Sequence, residues 1–228
     1  MNKSRARAIA VERNEMETLK VFRFTLGLTV IFGLILGLAW QTLAWAAGAP
    51  SEASGHDLYR RGLYEEAMAE WRRAADGGDA GAAFRLGEEY FDAKVVTRDI
   101  DKSVKYLSIG AEGGEPRAQM DLATMYDHGW GVPKDITLAA KWYLEAANNG
   151  MPEAQYNIGT MYQTGDGVDQ DLERAYMYFL MAVENGFAHF AVKEIESLSQ
   201  EMSVDQIKNA TRMARDFRGA RKAAMEAP

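Results

Sequence analysis

The sequence predicts an all-α solenoid built from antiparallel helix pairs, and three observations carry that expectation. Glycines stand at intervals of 36 residues, at Gly78, Gly114, Gly150 and Gly186. The same interval separates Ala82, Ala118 and Ala154, then Leu86, Leu122 and Ile158, then Tyr90, Tyr126 and Tyr162, then Asp99, Asp135 and Asp171. Inside each unit the alanine, the leucine or isoleucine and the tyrosine recur every four residues, which lines one face of a helix. A fixed period of this length marks a repeat architecture, in which each unit buries its apolar face only against its neighbours.

The chain opens on a different kind of segment. Residues 24–50, "FTLGLTVIFGLILGLAWQTLAWAAGAP", carry no charge, and Lys20 and Arg23 stand just before them. Ala44, Trp45 and Ala46 supply a small-x-small cleavage site after the apolar run, so residues 1–46 read as a secretory signal peptide. The alternative is an uncleaved N-terminal anchor in the inner membrane, since the apolar length is near the minimum of about 17 to 20 residues that span a bilayer. The stretch ahead of it is long for a signal and holds Glu12, Glu15 and Glu17, which leaves initiation at Met16 open beside Met1. Residues 47–56, with Pro, Ser and Gly, read as a linker.

Residues 57–78 form a degenerate half repeat, in which Ala67, Trp71, Ala74 and Ala75 mark a helix B behind a shortened helix A. Three full repeats follow at 79–114, 115–150 and 151–186. In the last two, the turns "GWGVPKD" (129–135) and "GDGVDQD" (165–171) end helix A with glycines able to take positive φ. Asp135 and Asp171 then stand where a carboxylate caps the N-terminus of helix B. The glycines and Lys134 suggest a phosphate loop, but the spacing is wrong, no strand precedes, and the second copy carries an aspartate in place of a cation. In the first repeat "AKVVTRD" (93–99) replaces the glycine turn. Ala93 and Val95 take positive φ only at a cost, which predicts a turn of different geometry there.

Helix B sets small residues, Ala139 and Ala175, against Trp142, Tyr143, Tyr178 and Phe179, a pattern of interlayer packing. Residues 187–219 read as C-terminal capping helices, with Ser203 and Gln206 forming a capping box. On the last helix Val204, Ile207, Ala214 and Phe217 make an apolar stripe predicted to pack on the final repeat. Lys208, Arg212, Arg215 and Arg218 make a basic stripe predicted to face water. Residues 220–228 read as a frayed tail.

The pattern A-x-x-x-L-G-x-x-Y, G-x-G-V-x-x-D, A-x-x-W/Y-Y/F, A-A-x-x-G resembles the Sel-1-like repeat, a relative of the tetratricopeptide repeat. "AQYNIGTMYQTGDGVDQDLERAYMYFLMAVENG" (154–186) matches almost throughout, and the resemblance covers about residues 57–188. It implies a right-handed superhelix, a bacterial exported protein and a role in binding other proteins. By the same resemblance the partner groove is lined by the residue two before the core leucine or isoleucine of helix A, here Phe84, Met120 and Tyr156. Glu88, Thr124 and Thr160 stand one turn further on. The competing reading of Phe84, Met120 and Tyr156 is that they only pack helix A against its neighbours.

Composition narrows the functional classes. After residue 46 there are 20 basic and 30 acidic residues, a balance unsuited to nucleic acid, whose phosphates dominate affinity, and suited to basic partner surfaces. The chain has no cysteine, hence no disulfide and no thiolate nucleophile. His56, His128 and His189 share no metal-ligand spacing, adjacent acids such as Glu65–Glu66 and Glu88–Glu89 read as solvated faces, and no catalytic motif or cofactor signature stands out. The expectation is a non-enzymatic interaction scaffold or regulator of the periplasm, with an envelope signalling or polysaccharide system as the setting the resemblance implies. The alternative is an envelope glycan-binding protein or cell-wall enzyme using the aromatic groove, for which the mark would be paired acids beside exposed aromatics.

Overall fold

A computed structural model describes residues 49–226, and all of the secondary structure among them is helical. The helices are α1 (Glu52–Arg60), α2 (Tyr64–Asp76), α3 (Ala80–Asp92), α4 (Ile100–Glu112) and α5 (Pro116–His128). They continue with α6 (Ile136–Asn148), α7 (Pro152–Thr164), α8 (Leu172–Glu184), α9 (Ala188–Glu201) and α10 (Val204–Glu226). Consecutive helices pack against one another from α1 through α9, and α10 returns to lie on α8. The expected signal peptide or anchor lies outside the described residues. No helix among the described residues is long and apolar enough to cross a membrane.

The solenoid begins earlier than the sequence reading placed it. Ser51 caps α1 through a reciprocal pair with Ser54, so half of the stretch read as linker is the shortened first helix. The close fit of α1 on α2 explains its composition: a Cβ on Gly55 would stand 2.3 Å from the Trp71 ring, and the Trp71 indole N–H donates to the Glu52 carbonyl at 3.0 Å.

Three features repeat with the period. Ala82, Ala118 and Ala154 are fully buried, as are Leu86, Leu122 and Ile158. The Asp99, Asp135 and Asp171 carboxylates accept the free N–H groups of α4, α6 and α8. The backbone N–H of each aspartate donates to Tyr90, Tyr126 or Tyr162, at 3.0, 2.9 and 2.8 Å, which closes each turn.

The first turn differs less than predicted. Ala93 takes the left-handed conformation at φ 58°, beside 73° at Gly129 and 82° at Gly165, and ends α3 in the same way. Closure by Asp99 holds that shape, at a cost of about 1–2 kcal/mol for the side chain. The second glycine of the later turns, Gly131 or Gly167, keeps a positive φ, whereas Val95 does not.

An unforeseen ladder of amides ties the repeats together. Buried Gln119 and Gln155 donate to the Ala111 and Ala147 carbonyls near the ends of α4 and α6, and accept in turn from Asn149 and Asn185 at 2.9 Å. This satisfies groups that would otherwise be buried without partners.

At the C-terminal end Ala210 and Ala214 are buried, with Ile207, Met213 and Phe217 packed beside them, while the basic stripe faces water. Val204 departs from the expected stripe, being 68% exposed as the first residue of α10. The stretch read as frayed is helical to Glu226, and Arg221 donates to the Asn149 carbonyl at 2.6 Å. Glu89 is not on a solvated face either: it is 7% exposed against α1, with one carboxylate oxygen lacking a protein partner. Burial raises its pKa, opposed mainly by a hydrogen bond with Tyr59.

Candidate functional site

Two hollows open between successive first helices of the repeats. The first lies between α3 and α5, encloses about 180 Å³, and is lined by Glu88, Phe91, Asp92, Leu107, Asp121, Thr124, Met125 and Trp130. The second lies between α5 and α7, is the more open of the two with a volume of about 400 Å³, and is lined by Met120, Thr124, Asp127, His128, Tyr143, Tyr156, Asn157 and Thr160. Six of the lining positions are the same positions of consecutive repeats, 36 residues apart: 88 and 124, 91 and 127, 92 and 128, 107 and 143, 121 and 157, 124 and 160.

Equal positions carry unequal chemistry. In the first hollow the wall is aromatic and acidic. The Phe91 and Trp130 rings lie 5.9 Å apart, Trp130 is 46% exposed, and three carboxylates face the same space. Glu88 pairs with Arg85 at 3.0 Å and Asp92 with Lys94 at 2.8 Å, but among the described residues Asp121 has no ion pair. Burial pushes its carboxyl up to about 7, and Glu88 and Asp92 push it the same way, against a smaller opposing pull from Arg117. The Arg117 guanidinium is engaged elsewhere, on Glu115 at 2.7 Å and over the Phe84 ring at 4.4 Å.

The second hollow is walled mainly by hydroxyl groups, the Asn157 amide and Met120, with His128 and a single carboxylate, Asp127, which Lys134 approaches at 3.9 Å. Its floor is buried Tyr143, whose hydroxyl meets the Thr124 hydroxyl at 3.2 Å; burial raises the phenol pKa, with that contact opposing. Tyr156 continues outward into an aromatic cluster, 5.5 Å from Phe187 and 6.1 Å from Phe190.

The six residues anticipated as partner contacts divide accordingly. Met120, Thr124, Tyr156 and Thr160 come together in the second hollow, and Glu88 and Thr124 line the first. Phe84 is a correction: at 3% exposed it belongs to the core with Leu107, Ala118 and Leu122, because Arg117 and the neighbouring helices cover it. Sequence reasoning missed Phe91, Asp92, Asp121, Trp130 and Asn157. Their signal was available as departures from the repeat, since 121 and 157 read Asp and Asn, and 107 and 143 read Leu and Tyr. Among the described residues no group of His, Cys, Asp and Glu is arranged to hold a metal ion.

Comparison with known proteins agrees with this geometry. The Sel1 repeat model matches residues 80–115, 116–151 and 152–187. A Sel1 repeat protein from Oxalobacter formigenes is 37% identical and superposes with a TM-score of 0.54, over 57% of this chain and 97% of its own. The c5321 protective antigen of uropathogenic Escherichia coli, which displays an SLR fold, is 28% identical with a TM-score of 0.60, over 72% of this chain. The match spans about a third of that antigen, 36% of its length. No curated protein matches the chain. The chain belongs to the Sel1 repeat family.

Proposed function

We propose, starting from that membership, that this chain is a scaffold of the bacterial cell envelope that holds a segment of a protein partner along its two hollows. Sel1 repeat proteins act in general as protein-interaction scaffolds. The observation that carries the binding reading is the recurrence of one hollow at the same six positions of successive repeats. A surface repeated at a fixed rise suits an extended or helical segment, which presents side chains at regular intervals. Partly buried Met120 and Tyr156, which line the second hollow, offer anchors of the kind that dominate interface energies. The uncharged run at 24–50 behind Lys20 and Arg23 supports export to the periplasm, with the apolar segment either removed or kept as an inner-membrane anchor.

Site-specific photocrosslinking in growing cells tests the binding reading. A crosslinker at Thr160 is expected to trap a defined partner, whereas one at exposed Glu145 on α6 is not. Met120→Ser with Tyr156→Ser is expected to abolish the Thr160 product in a chain that still folds cooperatively, at a lower thermal midpoint because both side chains also pack on the core. Equal products from both positions would contradict the reading. Residues 1–56 fused to a reporter active only outside the cytoplasm test the location, and an inactive fusion would contradict it.

A second reading has an observation of its own. The first hollow brings carboxylates beside exposed Trp130, the mark set for a glycan-binding or cell-wall-cleaving site. Against it, Glu88 and Asp92 are ion-paired, and the hollow falls below the range of about 300–1,000 Å³ usual for small-ligand sites.

A further inference from the structure

We infer that the first hollow is a receptor for one basic side chain, a lysine or arginine carried by the partner segment. The inference rests on the scaffold reading and specifies what that partner must present. Three properties of the site point to this occupant. The hollow suits a side chain better than a free small molecule, because its volume of about 180 Å³ is under the usual small-ligand range. Its aromatic wall fits the alkyl stem, and Trp130, flanked by Phe91 and His128 and still 46% exposed, offers the cationic head the best of the rings for a cation–π contact. The unpaired acceptor is Asp121, which faces Glu88 and Asp92 with no described cation in an ion pair with it.

The neighbouring hollow serves as an internal control. It keeps the same positions but replaces Asp121 by Asn157, Phe91 by Asp127 and Leu107 by Tyr143, so its floor is filled, its deep acceptor is neutral, and its one carboxylate, Asp127, already has Lys134 at 3.9 Å. Leu107, being shorter than a tyrosine, lets the first hollow reach down to Met125, a core residue. Arg98 lies 5.0 Å from the Phe91 ring centroid, and Arg85 and Lys94 pair with Glu88 and Asp92, but none of the three lines the hollow. A carboxylate left without a counter-ion in a semi-enclosed space is unfavourable by itself and becomes favourable once a cation arrives.

The test is a titration of the full chain, in neutral detergent at pH 8, labelled with 5-fluorotryptophan and observed by fluorine NMR. The Trp130 resonance is assigned by Trp130→Phe. The probes are N-acetylarginine amide, N-acetylnorleucine amide, N-acetylglutamate amide and a cell-wall disaccharide. The expected result is a saturable shift of the Trp130 signal with the arginine probe alone. Leu107→Tyr, which installs the residue the next repeat already accommodates, is expected to abolish the shift with little change in the thermal midpoint. Asp121→Asn keeps the shape and is expected to weaken arginine binding about tenfold, the effect of losing a charge-assisted contact. No arginine response, an equal response to norleucine or glutamate, a response to the disaccharide instead, or an unaltered titration in both variants would each overturn the inference. Loss of the arginine response with the Thr160 crosslink retained would sink this inference and leave the scaffold reading standing, whereas loss of the crosslink specificity would sink the scaffold reading.

Discussion

The hollow between α3 and α5 and the hollow between α5 and α7 occupy the same positions of successive repeats, yet one ends on Leu107 and the other on Tyr143. The backbone period fixes where a hollow forms, because the alanines at 82, 118 and 154 set the approach of neighbouring helices. What the hollow can hold is then decided by a few side chains that are free to vary between repeats. An aliphatic floor and an unpaired acid make the first deep and electrostatically unsatisfied, while a phenol hydrogen-bonded to Thr124 makes the second shallow and neutral at its base.

If one position of every repeat is the floor, its loss should cost most where the side chain is largest and most completely covered. Phe179 is the third member of the series with Leu107 and Tyr143, and it is fully buried. Phe179→Ala is expected to destabilise the chain by about 3–5 kcal/mol in urea unfolding, and a loss under about 1 kcal/mol would remove the position from the core. Tyr143→Leu gives the second hollow the floor of the first. It should cost about 2–3 kcal/mol from lost packing and the broken contact with Thr124, with an unchanged denaturant slope if the fold is kept.

The acid distinguishes the hollows through pH. The folded-state pKa of Asp121 is about 7, above the ordinary 3.8, so the folded chain holds its proton where the unfolded chain has lost it. The stability this group contributes is therefore full below about pH 4 and is lost as the pH rises through about 7. The groups acting on it are Glu88 and Asp92 from α3 and Arg117 from its own helix. Asp121→Asn should flatten that decline and raise stability at pH 8 by about 1–2 kcal/mol, the shift being discounted for the solvent that still reaches the hollow. An identical pH profile in the variant would show the acid to be unperturbed.

The smallest expected effect concerns the turns. Ala93→Gly, at the left-handed cap that Gly129 and Gly165 occupy elsewhere, should stabilise the chain by up to about 1 kcal/mol, the relief of strain being partly offset by backbone entropy. A lower thermal midpoint would mean that the alanine side chain is needed there.

The repeat and its caps were legible in the sequence because they depend on residue type at a fixed interval. Asp135 and Asp171 cap as predicted, Asp99 at the same interval caps in the same way, and Ser203 and Gln206 form the reciprocal pair expected of them. Three things were not legible. The start of α1 was hidden because Ser51 to Gly55 has the composition of a linker until Trp71 is packed against it. The burial of Phe84 depends on Arg117, which comes from the next repeat and covers the ring. The acidity of the first hollow escaped notice because Glu88, Asp92 and Asp121 come from two helices, and their proximity is a product of packing.

The most direct measurement is a crystal structure of the double exchange Leu107→Tyr with Tyr143→Leu. The account predicts that the introduced ring closes the space beside Trp130 and that the hollow between α5 and α7 deepens toward Met161, with the helix positions unchanged. If the first hollow keeps its depth, or the helices move apart to restore it, the floor position does not decide where this solenoid is open.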